Sequence, residues 1–221
     1  MSGLSPLLPA RRTSCRRRAL CALIAAALLP VGRARSQPTA TTRSPTPSQP
    51  EGPFYPKTLP PDRDSDLTQV LGRAAKAQGT PLYLSGRVFT RDGKPLGGAT
   101  VELWQCDVHG RYHHAGDDGV PRDDNFQGYG VATTDVGGRY AFKTIRPVPY
   151  GGRPPHMHVR VGAGGGPVLT TQIYVAGDTL AGDSVLSGAS SATVRQLTMA
   201  LAAVSGREPG ALGGTFDLVL R

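Results

Sequence analysis

Cysteine is scarce: the 221-residue chain holds three, and two of them, Cys15 and Cys21, stand near its start. Without that leader only Cys106 is left, so no internal disulfide is available and stability must come from packing or from a metal. Acidic residues are missing from the first 36 positions, which carry Arg11, Arg12, Arg16, Arg17, Arg18, Arg33 and Arg35. The net charge of +9 is therefore concentrated there, and beyond it 18 basic residues face 16 acidic ones. That balance argues against a basic nucleic-acid surface. A bilayer span is lacking too: the apolar run Ala19 to Val31 has 13 residues, short of the roughly 20 that a spanning helix needs. There is no internal repeat, and no glycine-rich loop follows a strand in the manner of a phosphate cradle.

What the leader does contain is an arginine-rich start, that apolar run, and small residues at Ala34 and Ser36 before Gln37. This pattern predicts an export signal over 1–36, with paired arginines of the twin-arginine kind, and a periplasmic or secreted mature protein. Residues 37–50, QPTATTRSPTPSQP, are expected to form a Pro/Ser/Thr linker. The domain proper is expected over 51–221. It opens with EGPFYP, whose prolines exclude a regular helix and whose Phe54 and Tyr55 are expected to pack on the domain.

With 29 Gly and 20 Pro, the chain favours turns and strands. Alternation predicts strands at 82–90, 99–106, 138–145, 156–161, 169–175 and 215–220, the first two joined as a hairpin through DGKPLGG. Residues 67–79 are expected to be irregular because Gly72 interrupts them, and 191–204 is the one credible helix. The fold class is an all-β sandwich with loops and one C-terminal helix.

The chemistry concentrates in YGGRPPHMHVRV, residues 150–161. Residues i and i+2 of a strand share a face, so His156 and His158 present two imidazoles together while Met157 points away. Pro154 and Pro155 stiffen the approach, keeping Arg153 and Tyr150 close. Upstream, GRYHHAGDDG offers Tyr112 beside His113 and His114, which compete as ligands. Imidazoles alone would point to zinc or copper, whereas phenolates are hard ligands that favour Fe(III). Asp117, Asp118, Asp123 and Asp124 lack calcium-site spacing and are expected to be solvated turns. Cys106, Trp104 and Tyr140 are expected to be buried packing residues.

The blocks SGRVFTRDGKPLGGATVELWQCDVHGRY, DDNFQGYGVATTDVGGRYAFKTIRPVPY and GRPPHMHVRV closely resemble the intradiol ring-cleavage dioxygenases, in particular the protocatechuate 3,4-dioxygenase branch. The resemblance runs from EGPFYP to TFDLVL. It implies a non-haem Fe(III) held by Tyr112, Tyr150, His156 and His158, with Arg153, Tyr150 and Gln172 acting on the substrate. It also implies cleavage of a catechol-type ring, protocatechuate or a related compound, between its hydroxylated carbons by O2 to give a cis,cis-muconate. Two departures stand out. Gly151-Gly152 follows Tyr150 where protocatechuate enzymes carry a tryptophan, and the chain has no room for the long helical N-terminal region of catechol relatives. A homo-oligomer or a monomer both fit. The rival from another class is a non-enzymatic prealbumin-like or carbohydrate-binding sandwich.

Overall fold

The computed structural model describes residues 42–115, 117 and 121–221, without the side chains of 166–168. The expected export signal lies outside the described residues. In chain order the elements are β1 (Pro81–Phe89), β2 (Thr100–Trp104), β3 (Tyr129–Thr133), β4 (Arg139–Ile145), β5 (His156–Ala163), β6 (Gly166–Val175), α1 (Ser191–Leu197), β7 (Thr198–Met199), β8 (Leu201–Ala203), β9 (Leu212–Thr215) and β10 (Leu218–Val219). They form two five-stranded sheets, as the sandwich pattern requires.

In the first sheet β1 is central. It pairs antiparallel with β4 along one edge and parallel with β9 and β10 along the other. Its inward row is Leu82, Leu84, Gly86 and Val88, and the glycine is obligatory because an added Cβ would meet the Phe216 carbonyl oxygen at 1.9 Å. The second sheet runs β3-β2-β5-β6-β7. Val101 and Leu103 of β2, Met157, Val159 and Val161 of β5, and Ile173 of β6 are fully buried against Leu82, Leu84 and Phe142 of the first sheet. Each such side chain contributes about 1.5–3 kcal/mol relative to exposure.

Four expectations are corrected. β1 and β2 do not form a hairpin. Thr90 N donates to Lys94 O and Leu96 N to Val88 O, so a hairpin begins, but Pro95 has no N–H to continue the ladder. At Gly98, with φ of 75°, the chain turns away; Gly98 N and Ala99 N donate to the Thr134 carbonyl and hydroxyl, delivering β2 to the other sheet. The expected helix 191–204 stops at Leu197. Ser190 caps its start, while Thr198 turns its hydroxyl back to Val194 O at 2.6 Å and continues as extended chain. Leu197, Met199 and Leu201 alternate, and β7 and β8 gain strand partners in different sheets that outweigh helical propensity.

The third correction concerns the linker. Over its described part it is docked: Thr46 N donates to Val219 O, Gln49 N to Thr170 O, and the Thr171 hydroxyl to Pro47 O. Proline-rich chain without internal hydrogen bonds has its polar groups free to pair with a neighbouring edge. The fourth concerns the acidic turns. Asp123 is buried and accepts hydrogen bonds from Gln78 N at 2.7 Å and Asn125 N at 3.0 Å, and Asp117 accepts from Tyr112 N at 2.7 Å, whereas Asp124 is exposed as expected and Asp118 lies outside the described residues. Strand β3 was not foreseen, and the expected strand 215–220 is broken between β9 and β10. The irregular character of 67–79 is as expected, and among the described residues no helix is long and apolar enough to cross a membrane.

Candidate metal centre

Met157 is in the core, so its strand neighbours His156 and His158 point to the opposite face of the second sheet. There the register aligns Trp104, His158 and Gln172 across β2, β5 and β6, and places His156 beside Tyr174. An outward face of a sandwich is ordinarily wet. This one is not: both histidines are 1% exposed beneath residues 50–55 and three loops.

Each loop has a local cause. After β2, the buried Asp107 carboxylate accepts from the backbone N–H groups of His109, Arg111 and Asp123, folding the chain so that Tyr112 turns inward. After β4, Tyr150 and Arg153 pair as backbone partners, N–H to O in both directions, around Gly151 and Gly152 with φ of 56° and 77°. Positive φ at both central residues is the two-residue hairpin geometry for which glycine is favoured. The Gly-Gly departure therefore closes a turn that sets Tyr150 directly opposite Arg153. The third loop, 176–190, carries Asp183.

These pieces bring the four expected ligands together. Ring centroids are 5.0 Å apart for Tyr112 and Tyr150, 5.5 Å for Tyr150 and His156, 5.0 Å for His156 and His158, and 6.0 Å for Tyr112 and His158, a closed circuit. The Tyr112 hydroxyl and both ring nitrogens of His158 are buried without a hydrogen-bond partner. The two phenols are near enough to influence each other's ionisation, yet Tyr112 makes no well-formed hydrogen bond. Buried polar atoms left so are costly unless something binds them. His156 Nδ1 lies 2.7 Å from the Pro154 carbonyl, to which it donates, leaving the Nε2 lone pair directed into the site.

Burial governs the electrostatics. It raises Tyr112 well above the ordinary phenol range, with Cys106 and Tyr150 adding to the effect, and raises Tyr150 against the opposing Arg153 charge. It lowers His156 to about 4 and His158 well below the ordinary imidazole range, so both rings are neutral with lone pairs to give. Two phenols reluctant to ionise beside two neutral imidazoles form a site whose anionic form needs a cation at its centre. Among the described residues no three His, Cys, Asp or Glu side chains converge on a metal-sized site, so the tyrosines are essential to this one.

Packing fixes the rings. Phe54 stacks on Tyr112 at 4.7 Å and 12° and meets Tyr150 edge-on at 5.8 Å, while Trp104 stacks on His158 at 5.0 Å and 13°. Phe54 is held through its neighbour: the Tyr55 hydroxyl donates to Glu102 at 2.7 Å, and Arg160 pairs with Glu102 while lying 3.9 Å over the Tyr55 ring. Gly52 passes His158, where a Cβ would come within 3.3 Å of Cε1. Trp104 is thus buried as expected, but against the site. Cys106 is buried as well, just beyond the end of β2, and burial pushes its thiol up to about 12.

Arg153 and Gln172 also lie at the site. Arg153 Nη1 is 3.0 Å from His156 Nε2, and Nη2 donates to Gln172 Oε1 at 2.8 Å and to the Tyr174 hydroxyl at 2.9 Å. The Gln172 amide donates in turn to Pro50 O at 2.8 Å, so this glutamine ties the N-terminal segment to the arginine. His113 packs edge-on to Phe126 at 6.2 Å, and His114 edge-on to Phe54 at 5.7 Å. Neither belongs to the four-ring circuit. Sequence reasoning missed Asp183, Asp107 and the role of Phe54. Asp107 next to a Gly-containing turn is a legible signal for a loop-organising carboxylate; the other two carry none.

Comparison with known proteins shows the family to which the chain belongs. Residues 50–221 match the family model described as Dioxygenase. The protocatechuate 3,4-dioxygenase beta chain of Burkholderia cepacia is 38% identical over 168 residues, covering 72% of each chain. Catechol 1,2-dioxygenase 1 of Acinetobacter lwoffii is 35% identical over 121 residues, but there the match spans only 38% of the relative's length. The dioxygenase domain of a dioxygenase carbohydrate-binding protein fusion from Streptomyces sp. SirexAA-E superposes with a TM-score of 0.58 at 32% identity, covering 80% of this chain and 98% of that one. The fold and the match over most of the chain define an oxidoreductase of the dioxygenase class. Within it, the chain belongs to the intradiol ring-cleavage dioxygenase family. The non-enzymatic sandwich is not favoured.

Proposed function

We propose that this protein is a non-haem Fe(III) dioxygenase that cleaves a catechol-type ring, protocatechuate or a close relative, between its two hydroxylated carbons to give a cis,cis-muconate. The observation that supports this most is the closed circuit of Tyr112, Tyr150, His156 and His158 with orphaned donor atoms on Tyr112 and His158. Two phenols with two imidazoles form a hard, anionic donor set that suits a trivalent ion.

The four residues would hold the iron, which when bound supplies the Lewis acidity that opens a chelated catechol ring to O2. The rest falls to the chain. Tyr112 is buried and clamped by Phe54, a fixed ligand, whereas Tyr150 is half-buried on a turn and is the phenol that an entering substrate reaches. As the phenolate that a bound metal would hold, its Oη would take up a proton released by a catechol hydroxyl. Arg153 sets a fixed cation beside the ligands, where it stabilises negative charge on the ring as that charge develops. Phe54, Trp104 and the docked segment exclude water, which strengthens that interaction.

The test is spectroscopic first. The purified iron-loaded protein is expected to be burgundy-red, from tyrosinate-to-ferric charge transfer, and Tyr112→Phe to shift or bleach the band. Oxygen uptake across a panel of catechol, protocatechuate and hydroxylated analogues, with product identification, names the substrate. A colourless, iron-free protein with full activity sinks the assignment.

We also propose that residues 1–36 direct export and that the mature protein works outside the cytoplasm. The supporting observation is the arginine pairs preceding the Ala19–Val31 run. Replacing Arg11, Arg12, Arg16, Arg17 and Arg18 by lysine is expected to trap precursor inside the cell. Recovery of wild-type protein from the cytoplasm with Met1 intact refutes this.

A further inference from the structure

We propose that Asp183 is the positioning residue that keeps Arg153 at the site, a role that rests on the function proposed above. The two lie 30 residues apart in sequence and meet side by side: Arg153 Nε donates to Asp183 Oδ1 at 3.3 Å and Nη2 to Oδ2 at 2.9 Å. The Asp183 side chain is 0% exposed and that of Arg153 is 15% exposed. A carboxylate so deeply buried is tolerated only when paired and hydrogen-bonded. A third hydrogen bond comes from Val185 N, which donates to Oδ1 at 2.7 Å. The loop that carries it is pinned from beneath, since Leu186 packs with Tyr174 and Leu197 in a separate small core.

The division of labour among the arginine's nitrogens carries the inference. Nη1 points at His156 Nε2, the lone pair that an iron ligand must offer, so that contact has to yield when a metal binds. Nε and Nη2 are committed to Asp183, Gln172 and Tyr174, none of which is in the ligand circuit. With Nη1 released, the bidentate grip of Asp183 retains the guanidinium beside the ligands with one edge free for substrate. Fork-shaped pairing of this kind fixes orientation as well as position. Gln172 and Tyr174 each offer a neutral oxygen to a nitrogen that Asp183 already holds. They assist, but the carboxylate supplies both the charge and the geometry.

The experiment is a double-mutant cycle on the iron-loaded enzyme with Asp183→Ala, Arg153→Ala and the pair, with Asp183→Asn as a milder variant of the same shape. Asp183→Ala is expected to retain iron and the resting visible band and to lower kcat about 10–100-fold, as loss of an orienting partner does, with a smaller change in KM. In the Arg153→Ala background the same substitution is expected to change kcat by less than about 3-fold, because residues acting as a unit are not additive. Asp183→Asn is expected to fall between wild type and Asp183→Ala. The same cycle in thermal denaturation of the metal-free proteins is expected to show the pair less destabilised than the sum of the single variants. Equal kcat losses in both backgrounds, or loss of iron in Asp183→Asn, overturn the role. Wild-type protein that cleaves no catechol while the thermal cycle still shows coupling overturns the proposed function and leaves the pairing standing; absence of coupling overturns the pairing itself.

Discussion

His158→Ala is expected to lose bound iron and ring cleavage together while leaving the fold intact. The imidazole is fully buried, both its nitrogens are without partners, and its ring stacks on Trp104, so its contribution to the metal-free protein is packing alone. Deleting it removes contacts with Trp104 but also removes two unsatisfied buried atoms, each costing about 1–3 kcal/mol. The metal-free variant should therefore melt close to the metal-free wild type. The contrast appears on adding iron. At free metal about 1,000 times its Kd the wild type gains roughly 4 kcal/mol, and the variant is expected to gain none. Melting curves with and without iron, metal content and oxygen uptake on both proteins make the comparison. A variant that keeps its iron and its colour removes His158 from the ligand set.

Arg153→Ala is expected to keep iron and lose turnover, by about 10²–10³-fold in kcat, the usual effect of removing a group that stabilises developing charge. The structure adds a consequence that the sequence does not suggest. Truncating Arg153 strands the buried Asp183 carboxylate, and breaking a buried pair from one side costs about 3–5 kcal/mol. Rates must then be taken below a lowered melting temperature. Arg153→Ala combined with Asp183→Asn avoids the stranded charge, and the rate loss should persist there. Single-turnover kinetics with one catechol, beside iron content and the resting spectrum, separate the outcomes. Loss of iron in both variants would make Arg153 structural. Near-normal turnover would end its electrostatic role.

Local pattern carried much of the molecule. Alternation in LYLSGRVFT and ATVELWQC reported two half-buried strands, and H-M-H reported that two imidazoles share a face while the methionine takes the core. Those inferences need only the period of a strand. The four expected ligands were legible through the family resemblance of their motifs, and the part of the site over 150–158 is short-range: Tyr150 and Arg153 close one turn, and Arg153 precedes His156 by three residues. Where the pattern misled, a partner elsewhere decided. Residues 198–203 have a helical composition, but β6 and β9 offered them edges. The hairpin expected from the first two strands failed because Thr134 takes the amides that would have extended it.

The sequence by itself determined β1, β2, β4, β5 and β6, the faces they present, and the motifs whose family resemblance implies four metal-ligating side chains. Tertiary structure alone decided how the outward face of the second sheet is covered: by residues 50–55, with Phe54 on Tyr112 and the Gln172 amide on Pro50. It also decided that Asp183 reaches Arg153. A period of two says that a strand has two faces but not what lies over either, and a carboxylate in an irregular loop that also holds Asp178 has no periodicity to betray its partner. Such contacts depend on where distant segments come to rest, which is set by sheet register and by the desolvation of the charges they enclose.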